Sequence, residues 1–239
     1  MPDTLIRRLG HLAILLGLVS LGLLVASVWG FRAQGWPWPQ SYQLAAWGAW
    51  TAIAGSVIAL AGGAVWLGRG RGGAGGGLRG LMLSLPVGAL GIAFEVAART
   101  TPPINDISTD IEDPPVFWFT VTPSDYPSQN AEAQRAAYPE VRSLDLPLAA
   151  EKAVSAVLER VNARVWEILS AHPEDTQIEA IARSRLFGFE DEVAIRLSEI
   201  DTGIRIDMRS RSRIGRIDRG ANARRIEAFL AELSQRVMK

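Results

Sequence analysis

Three long stretches almost free of charge dominate the first hundred residues of this chain. Residues 11–29 and 44–67 contain no Asp, Glu, Lys or Arg, and residues 81–98 contain only Glu95. A helix of about 20 apolar residues is long enough to cross the hydrocarbon core of a bilayer. The sequence therefore predicts three membrane-spanning helices within residues 1–98 and a separate domain over residues 99–239.

Arginines in the short segments around these stretches predict how the chain is oriented. Two arginines precede the first stretch, three lie between the second and third, and one lies between the first and second. Because basic residues accumulate in cytoplasmic loops, we expect a cytoplasmic N-terminus in a bacterial inner membrane and a periplasmic C-terminal domain. Two further stretches follow the first, so we interpret it as an uncleaved anchor. The arginines are Arg7, Arg8, Arg32, Arg69, Arg71 and Arg79.

Small residues recur at every fourth position in the second and third stretches. This spacing lets helix backbones approach each other closely. It predicts either packing among the three helices or docking of the spans onto a membrane protein partner within the lipid bilayer. The residues are Gly55, Ala59 and Gly63 in the second stretch and Ala89, Ala93 and Ala97 in the third.

Hydrophobic periodicity predicts an α+β domain after the spans. One helical pattern covers residues 148–163, and another begins at about Arg219. Four segments between them favour strands, and Asp201-Thr202-Gly203 marks a turn before the last one. The order helix, four strands, helix predicts an antiparallel meander sheet with both helices on one face. The strands are predicted at 165–171, 177–187, 190–198 and 203–214.

The segment from 100 to 147 shows little periodicity and contains eight of the thirteen prolines. We expect it to form a long irregular wrap around the domain, with one short strand at 116–121.

Four acids fall within eight residues of the acidic segment, residues 105–113. They are Asp106, Asp110, Glu112 and Asp113. Such a cluster could hold Ca²⁺, but the glycine and the distal glutamate of an EF-hand loop are missing. We therefore predict no metal site and interpret Asp106, Asp110 and Asp113, together with Asp218, as a structural polar network.

Basic residues collect near the end of the chain. In the last predicted strand, arginines alternate with apolar residues, and a glycine-flanked helix start follows. This arrangement is compatible with binding of an anion such as a lipid phosphate or a carboxylate. The interpretation that we favour is that the basic end pairs with the acidic segment and holds it in place, because the charges of the two segments are complementary. The candidate anion ligands are Arg209, Arg211, Arg213, Arg216, Asn222 and Arg225.

Composition excludes several functional classes. The chain has no cysteine, which excludes disulfides and Cys-ligated zinc or iron–sulfur sites. Its net charge is zero, so nothing indicates nucleic-acid binding. The two histidines are His11, in a predicted span, and His172, at a predicted turn, and no catalytic motif surrounds them. We expect no cofactor.

Several short motifs in the second half of the chain together resemble one known family. They are Asp106-Ile107-Ser108-Thr109-Asp110, Asp113-Pro114-Pro115, Tyr138-Pro139, Arg209-Ser210, Ser212-Arg213, Gly215, Asp218, Gly220, Asn222 and Arg225-Ile226. Over residues 100 to 235 the chain resembles the domain of unknown function 1499 family, found in bacteria and in photosynthetic lineages. The resemblance implies a discrete domain and supplies neither an activity nor catalytic residues.

Three functions are compatible with these features. The first is a non-enzymatic, membrane-anchored extracytoplasmic module that serves as an accessory or assembly subunit of a larger membrane complex. The second is a module that binds an anionic lipid or small ligand at the arginine-rich strand. The third is a hydrolase that uses Asp106, Asp110 or Asp113, with or without Ca²⁺.

Overall fold

The computed structural model describes residues 2–67, 75–120, 125–171 and 176–237 of the chain. Two compact units result, Met1–Val96 and Ala97–Lys239. Arg69, Arg71, His172 and the turn predicted after the first strand lie outside the described residues. Each unit is considered by itself below.

Three long apolar helices form the first unit, and the last four residues of the third belong to the second unit. They are α1 (Pro2–Arg32), α2 (Trp38–Leu67) and α3 (Gly75–Thr100). Each is long and apolar enough to cross a membrane, which confirms the three predicted apolar helices and suggests membrane association. Each also extends beyond its uncharged stretch, since polar flanking residues continue the helix.

Small residues set the packing inside this unit. A Cβ at Gly80 would lie 2.5 Å from the Cβ of Ala13, so α1 and α3 touch at their backbones. A Cβ at Gly55 would lie 3.2 Å from the Cβ of Leu16. Ala59 is buried as well, whereas Ala89 and Ala93 are exposed. Gly55 and Ala59 therefore serve packing among the three helices, and the alanines of α3 face outwards.

The described residues of the second unit form three helices and one antiparallel sheet. The sheet order is β1-β6-β5-β4-β3, and β2 pairs with the same edge of β6 as β1. The elements are β1 (Asp106–Ser108), α4 (Asn130–Ala137), β2 (Leu144–Leu146), α5 (Ala150–Ala163), β3 (Glu167–Ser170), β4 (Gln177–Arg183), β5 (Glu190–Ile200), β6 (Gly203–Ser212) and α6 (Ala221–Val237).

The predicted order of helix, four strands and helix is confirmed, and so is the antiparallel meander from β3 to β6. The turn before β6 is also present. Gly203 has φ of +140°, and a side chain there would collide with the carbonyl oxygen of Leu146 in β2, so only glycine fits.

Three predicted strands prove shorter than their patterns, and the last of them, β6, ends at Ser212 instead of residue 214. β3 starts at Glu167, because the N–H of Val165 donates to the carbonyl of Asn162 and continues the last turn of α5. β4 ends at Arg183, because Ser184 and Phe189 close a turn in which Gly188 has φ of +74°.

The wrap between α3 and α5 is less irregular than predicted. It contributes β1, β2 and α4, none of which was predicted from the periodicity. The strand predicted at 116–121 is wrong, since residues 116–120 form no strand. Their backbone runs over the face of the sheet instead of pairing with an edge.

The hydrophobic core lies between one face of the sheet and the two helices α5 and α6. Apolar residues recur along α5 at Ala153, Val157 and Val161, and these side chains are buried. In α6, Phe229 stacks on Trp166 at 5.4 Å between ring centroids. This apolar face of the sheet is made by Ile178, Ala180, Val193, Ile195, Leu197, Ile204, Ile206 and Met208.

Candidate functional site

The opposite face of the sheet is lined with charged side chains, and most of them are buried. Strand register places Glu192 opposite Arg211, and Arg196 opposite Asp207. Arg209 is 1% exposed and Glu192 is 0% exposed. Burying a charge is costly unless it is paired, so each needs a partner. This charged face consists of Asp106, Glu179, Glu192, Arg196, Asp207, Arg209 and Arg211.

Arg209 forms a bidentate ion pair with Asp106 across the β1–β6 ladder. Its Nε lies 2.9 Å from Oδ1 and its Nη2 lies 2.7 Å from Oδ2. Its Nη1 donates to the carbonyl of Pro115 at 3.1 Å. The guanidinium also lies over the rings of Phe117 and Tyr126, at 4.9 and 5.5 Å from their centroids. Paired, hydrogen-bonded and stacked, this arginine is fully occupied within the domain.

Glu192 bridges two further arginines. Its Oε2 accepts from Nε of Arg211 at 2.6 Å, and its Oε1 accepts from Nε of Arg213 at 2.8 Å. Arg211 also donates to the hydroxyl of Thr120 at 3.2 Å and lies 4.3 Å from the ring centroid of Phe117. Glu190 also pairs with Arg213, so two carboxylates neutralise the last two arginines of the alternating pattern.

A cover loop, residues 115–120, closes the charged face. The buried carboxylate of Glu179 accepts the backbone N–H of Trp118 at 2.7 Å and that of Phe119 at 3.1 Å. Gln177 donates to the carbonyl of Val116 at 2.5 Å. Phe117 points inwards and is buried between the arginines. The loop is therefore fixed by hydrogen bonds to β4 without joining the sheet.

Three side chains of the cover loop point away from the sheet. Trp118 is 62% exposed, Phe119 is 57% exposed and Val116 is 42% exposed. We call these three residues the aromatic ridge. Their backbone positions are set by Gln177 and Glu179, so the ridge is held firmly although its side chains face outwards.

The acidic segment is organised around an arginine. Arg196 of β5 donates to Asp113 at 2.8 Å, to Asp110 at 3.1 Å and to Asp207 at 3.3 Å. The other oxygen of Asp110 accepts the N–H of Glu112 and of Asp113 in a local turn. Within the described residues, no three Asp, Glu or His side chains come together as a set that could hold a metal ion. The guanidinium of Arg196 occupies the position between the three carboxylates.

The start of α6 carries a second polar cluster, on the helix side of the sheet. Asp218 caps the helix by accepting the N–H of Gly220 and of Asn222, each at 2.8 Å. Burial raises the pKa of the Asp218 carboxyl, although these two hydrogen bonds act to lower it. Asn222 is fully buried and donates to Asn105 and Ser212, while Arg225 pairs with Asp191 of β5. These contacts fasten α6 to the sheet.

The six predicted anion ligands therefore do not converge on one point. Arg209, Arg211 and Arg213 bind carboxylates of the charged face, whereas Asn222 and Arg225 lie at the start of α6. Arg216 is exposed and has no hydrogen bond or ion pair with the described part of the chain. The anion site at these residues stays a prediction, and the geometry shows partners already in place for four of the arginines.

The acids predicted to form a structural polar network have different partners, and Asp218 caps α6. Asp106 pairs with the basic end of the chain through Arg209, but Asp110 and Asp113 pair with Arg196 of β5. Sequence reasoning missed Glu179 and Glu192. The signal lay in the alternation, because Glu192 falls between the inward-facing positions of β5 and so had to share a face with the arginines of β6.

Comparison with known proteins places the chain in a family. A family profile described as "Protein of unknown function (DUF1499)" matches residues 106–233, from the first residue of β1 into α6. No curated protein and no solved structure matches the chain. The matched region contains the whole sheet with both of its buried faces and covers more than half of the sequence. The chain belongs to the DUF1499 family of proteins of unknown function.

Proposed function

We propose that this protein is a non-enzymatic, membrane-anchored module that serves as an accessory or assembly subunit of a larger membrane protein complex. The three apolar helices anchor it, and the DUF1499 domain outside the cytoplasm recognises a partner protein through the aromatic ridge. The proposal rests above all on that ridge.

The aromatic ridge has the character of a protein-binding surface. Large aromatic side chains, tryptophan above all, supply most of the binding energy in protein interfaces. Trp118 and Phe119 are adjacent and exposed, and the hydrogen bonds of Glu179 fix their backbone before any partner arrives. A surface that is already ordered loses less conformational entropy on binding. The ridge therefore offers apolar contact area in a preorganised form.

The charged face supports a binding role for the outer surface of the domain. Two of its arginines, Arg209 and Arg211, are paired inside the domain with Asp106 and Glu192. These charges hold the cover loop in place, as Arg209 binds the carbonyl of Pro115 and Arg211 binds Thr120. We propose that these buried ion pairs hold the backbone of the cover loop and thereby position the aromatic ridge.

The membrane helices offer a second contact. Gly55 and Ala59 pack against neighbouring helices of the same chain, but Ala89 and Ala93 are exposed on α3. Small outward-facing residues at this spacing allow the helix of a partner to approach closely. We propose that these alanines contribute to docking within the bilayer.

Co-purification under native conditions tests the proposal. The full-length protein would be extracted gently from its own membrane and weighed by native mass spectrometry. We expect a partner at fixed stoichiometry with the wild type and its loss in the double variant Trp118→Ser/Phe119→Ser. Val165→Ser is the matched control, because Val165 is 89% exposed and apolar but lies outside the ridge. A monomeric wild type, or a partner retained by the double variant, would contradict the proposal.

The orientation can be tested separately because the chain has no cysteine. A single cysteine at Val165 reports on the outer domain, and one at Thr4 reports on the N-terminus. In intact cells, a membrane-impermeant maleimide should label V165C and leave T4C unlabelled until the membrane is opened. The reverse pattern would place the domain in the cytoplasm and overturn the arginine-based orientation.

A further inference from the structure

A cavity of about 280 Å³ lies in the outer domain beside α4. Its walls come from the residues that follow β1, from α4, and from residues 138–142. The volume lies just below the range that is usual for ligand sites, which is roughly 300–1,000 Å³. The lining residues belong neither to the candidate anion ligands nor to the aromatic ridge.

The interior of this cavity offers apolar surface. Ile111, Pro139 and Val141 line it. Two of its polar lining groups have partners elsewhere. The amide of Gln134 bonds both backbone groups of Ser108, at 3.0 and 2.6 Å. The hydroxyl of Thr109 donates to Asp207 and accepts the N–H of Met208. Tyr138 also lines the cavity, and its hydroxyl has no hydrogen-bond partner among the described residues. A ligand inside therefore meets mainly hydrocarbon, the two satisfied polar groups and the side chain of Tyr138.

Two exposed arginines line the same cavity, and their guanidinium groups are available to bind an anion. Arg142 donates only its Nε, to the carbonyl of Pro139 at 2.7 Å, so its terminal nitrogens bond to no described residue. Arg135 pairs with Glu112, but the two side chains are 57% and 81% exposed. Such a surface pair is weak, and an entering anion can replace it. The neighbouring carboxylates of Asp110 and Asp113 are paired with Arg196.

We propose that this cavity binds an amphiphilic organic anion. Arg135 and Arg142 hold the carboxylate or phosphate head, and Ile111, Pro139 and Val141 contact the apolar part. Two guanidinium groups beside an apolar wall match such a molecule, since guanidinium binds carboxylate and phosphate oxygens in pairs while the wall excludes water. The same chemistry is found in a lipid head group and in a soluble organic anion, and these two sources can be separated by experiment.

Phenyl phosphate is a suitable probe, because it combines a phosphate with one apolar ring. Its binding to the full-length protein in nanodiscs of zwitterionic lipid would be measured by calorimetry, with empty nanodiscs subtracted. We expect Arg135→Gln and Arg142→Gln each to weaken binding about tenfold, as for loss of one charged hydrogen bond, and the double variant to abolish it. Arg205→Gln is the matched control, because Arg205 is an exposed, singly paired arginine that does not line the cavity.

The apolar part of the proposal has its own test. Ile111→Ser should weaken phenyl phosphate binding, and inorganic phosphate should bind the wild type at least tenfold more weakly than phenyl phosphate does. Absence of binding by the wild type, or unchanged binding by the double arginine variant, would overturn the site. Equal affinity for the two phosphates would overturn its amphiphilic character.

A second set of nanodiscs identifies the source of the anion. Competition by phosphatidylglycerol in the discs would support the site and assign it to a lipid head group. Unchanged phenyl phosphate binding in those discs would support it and assign it to a soluble anion. The ridge variant Trp118→Ser/Phe119→Ser should bind phenyl phosphate normally, so this site and the proposed partner surface can fail independently.

Discussion

The two faces of the sheet are both buried, but by different chemistry. Helices α5 and α6 cover the apolar face with hydrocarbon side chains such as Val157 and Phe229. The cover loop closes the charged face, where Arg209 and Glu192 are as deeply buried as any core residue. The comparison teaches that an alternating strand can be buried on both sides when its polar positions find partners on neighbouring strands.

The two faces differ in what holds them together. Apolar burial contributes roughly 25 cal/mol per Å² and needs no particular orientation of the groups. A buried ion pair contributes little net stability, because desolvation offsets the attraction, yet loss of one partner is severe. The apolar face should therefore respond to lost volume and the charged face to lost complementarity.

The largest expected effect compares one residue from each face. Phe229→Ala should lower the free energy of unfolding by about 3–5 kcal/mol through the cavity it leaves. Arg209→Met should cost a similar amount, about 3–5 kcal/mol, because it leaves the carboxylate of Asp106 buried without its partner. Urea titration of the full-length protein in detergent, followed by circular dichroism, measures both changes.

A double variant separates the two explanations. Asp106→Leu/Arg209→Met removes the buried charges together and should recover much of the stability lost by Arg209→Met alone. If the double variant is less stable than either single variant, Arg209 acts mainly through the volume it fills, and the contrast between the faces is lost.

The cover loop gives the next largest effect. Phe117→Ala removes the aromatic ring of the cover loop that is buried against Arg209 and Arg211, and should cost about 3 kcal/mol. Trp118→Ala removes a larger but exposed ring and should change stability by less than about 0.5 kcal/mol. Urea midpoints of the two variants compare them directly. Similar losses would show that Trp118 is packed in solution and would contradict its assignment to the aromatic ridge.

Much of the apolar face follows from sequence periodicity. The stripe in α5 and the alternation of Ile204, Ile206 and Met208 point to the same side of the sheet, because each pattern matches the repeat of its element. Local rules also locate the turn at Gly203. These features depend on neighbours in sequence, which is why they can be recognised without a structure.

The charged face was harder to predict because its partners are distant in sequence. Arg209 pairs with Asp106, 103 residues away, and Glu179 bonds the N–H of Phe119, 60 residues away. The alternation of β6 identifies the face of Arg209 but not what covers it. The cover loop carries no periodic signal, since its conformation is set by side-chain hydrogen bonds from β4.

The clamp on the cover loop is sensitive to a change that preserves shape. Glu179→Gln replaces one acceptor oxygen by a donor NH₂ facing the N–H groups of the loop, and should cost about 1–3 kcal/mol. Hydrogen exchange at Trp118 and Phe119 should quicken, while exchange in β5 should reflect only the lower overall stability. Unchanged exchange at the loop would show that Glu179 does not hold it.

The helix side of the sheet carries a smaller, pH-dependent effect. Burial raises the pKa of Asp218 above its ordinary value of 3.8, so the folded state holds this proton more firmly than the unfolded chain. The contribution of Asp218 to stability therefore falls as pH rises from 3.8 through the raised pKa and returns on acidification. Asp218→Asn keeps one oxygen that can cap the helix, but its amide does not take up a proton in this pH range. Between neutral pH and about pH 4, its melting temperature should fall more than that of the wild type. Parallel curves would contradict this linkage.

The smallest expected effect is a gain in stability, and it concerns a buried hydroxyl without a hydrogen-bond partner in the described part of the chain. The hydroxyl of Tyr138 is buried, and within the described residues it has no hydrogen-bond partner. Burial and the nearby carboxylate of Asp218 raise its pKa, which keeps it protonated. Tyr138→Phe removes an unsatisfied polar atom while the ring keeps its packing against the core. The free energy of unfolding should therefore increase by at most about 1 kcal/mol, and the melting temperature should rise.

Thr109→Val is the matched control for this substitution. The Thr109 hydroxyl donates to Asp207 at 3.1 Å and accepts the N–H of Met208 at 2.9 Å, so its removal breaks both of these hydrogen bonds. Differential scanning fluorimetry should show a lower melting temperature for Thr109→Val and a higher one for Tyr138→Phe. A decrease in both variants would mean that the Tyr138 hydroxyl is hydrogen-bonded in solution.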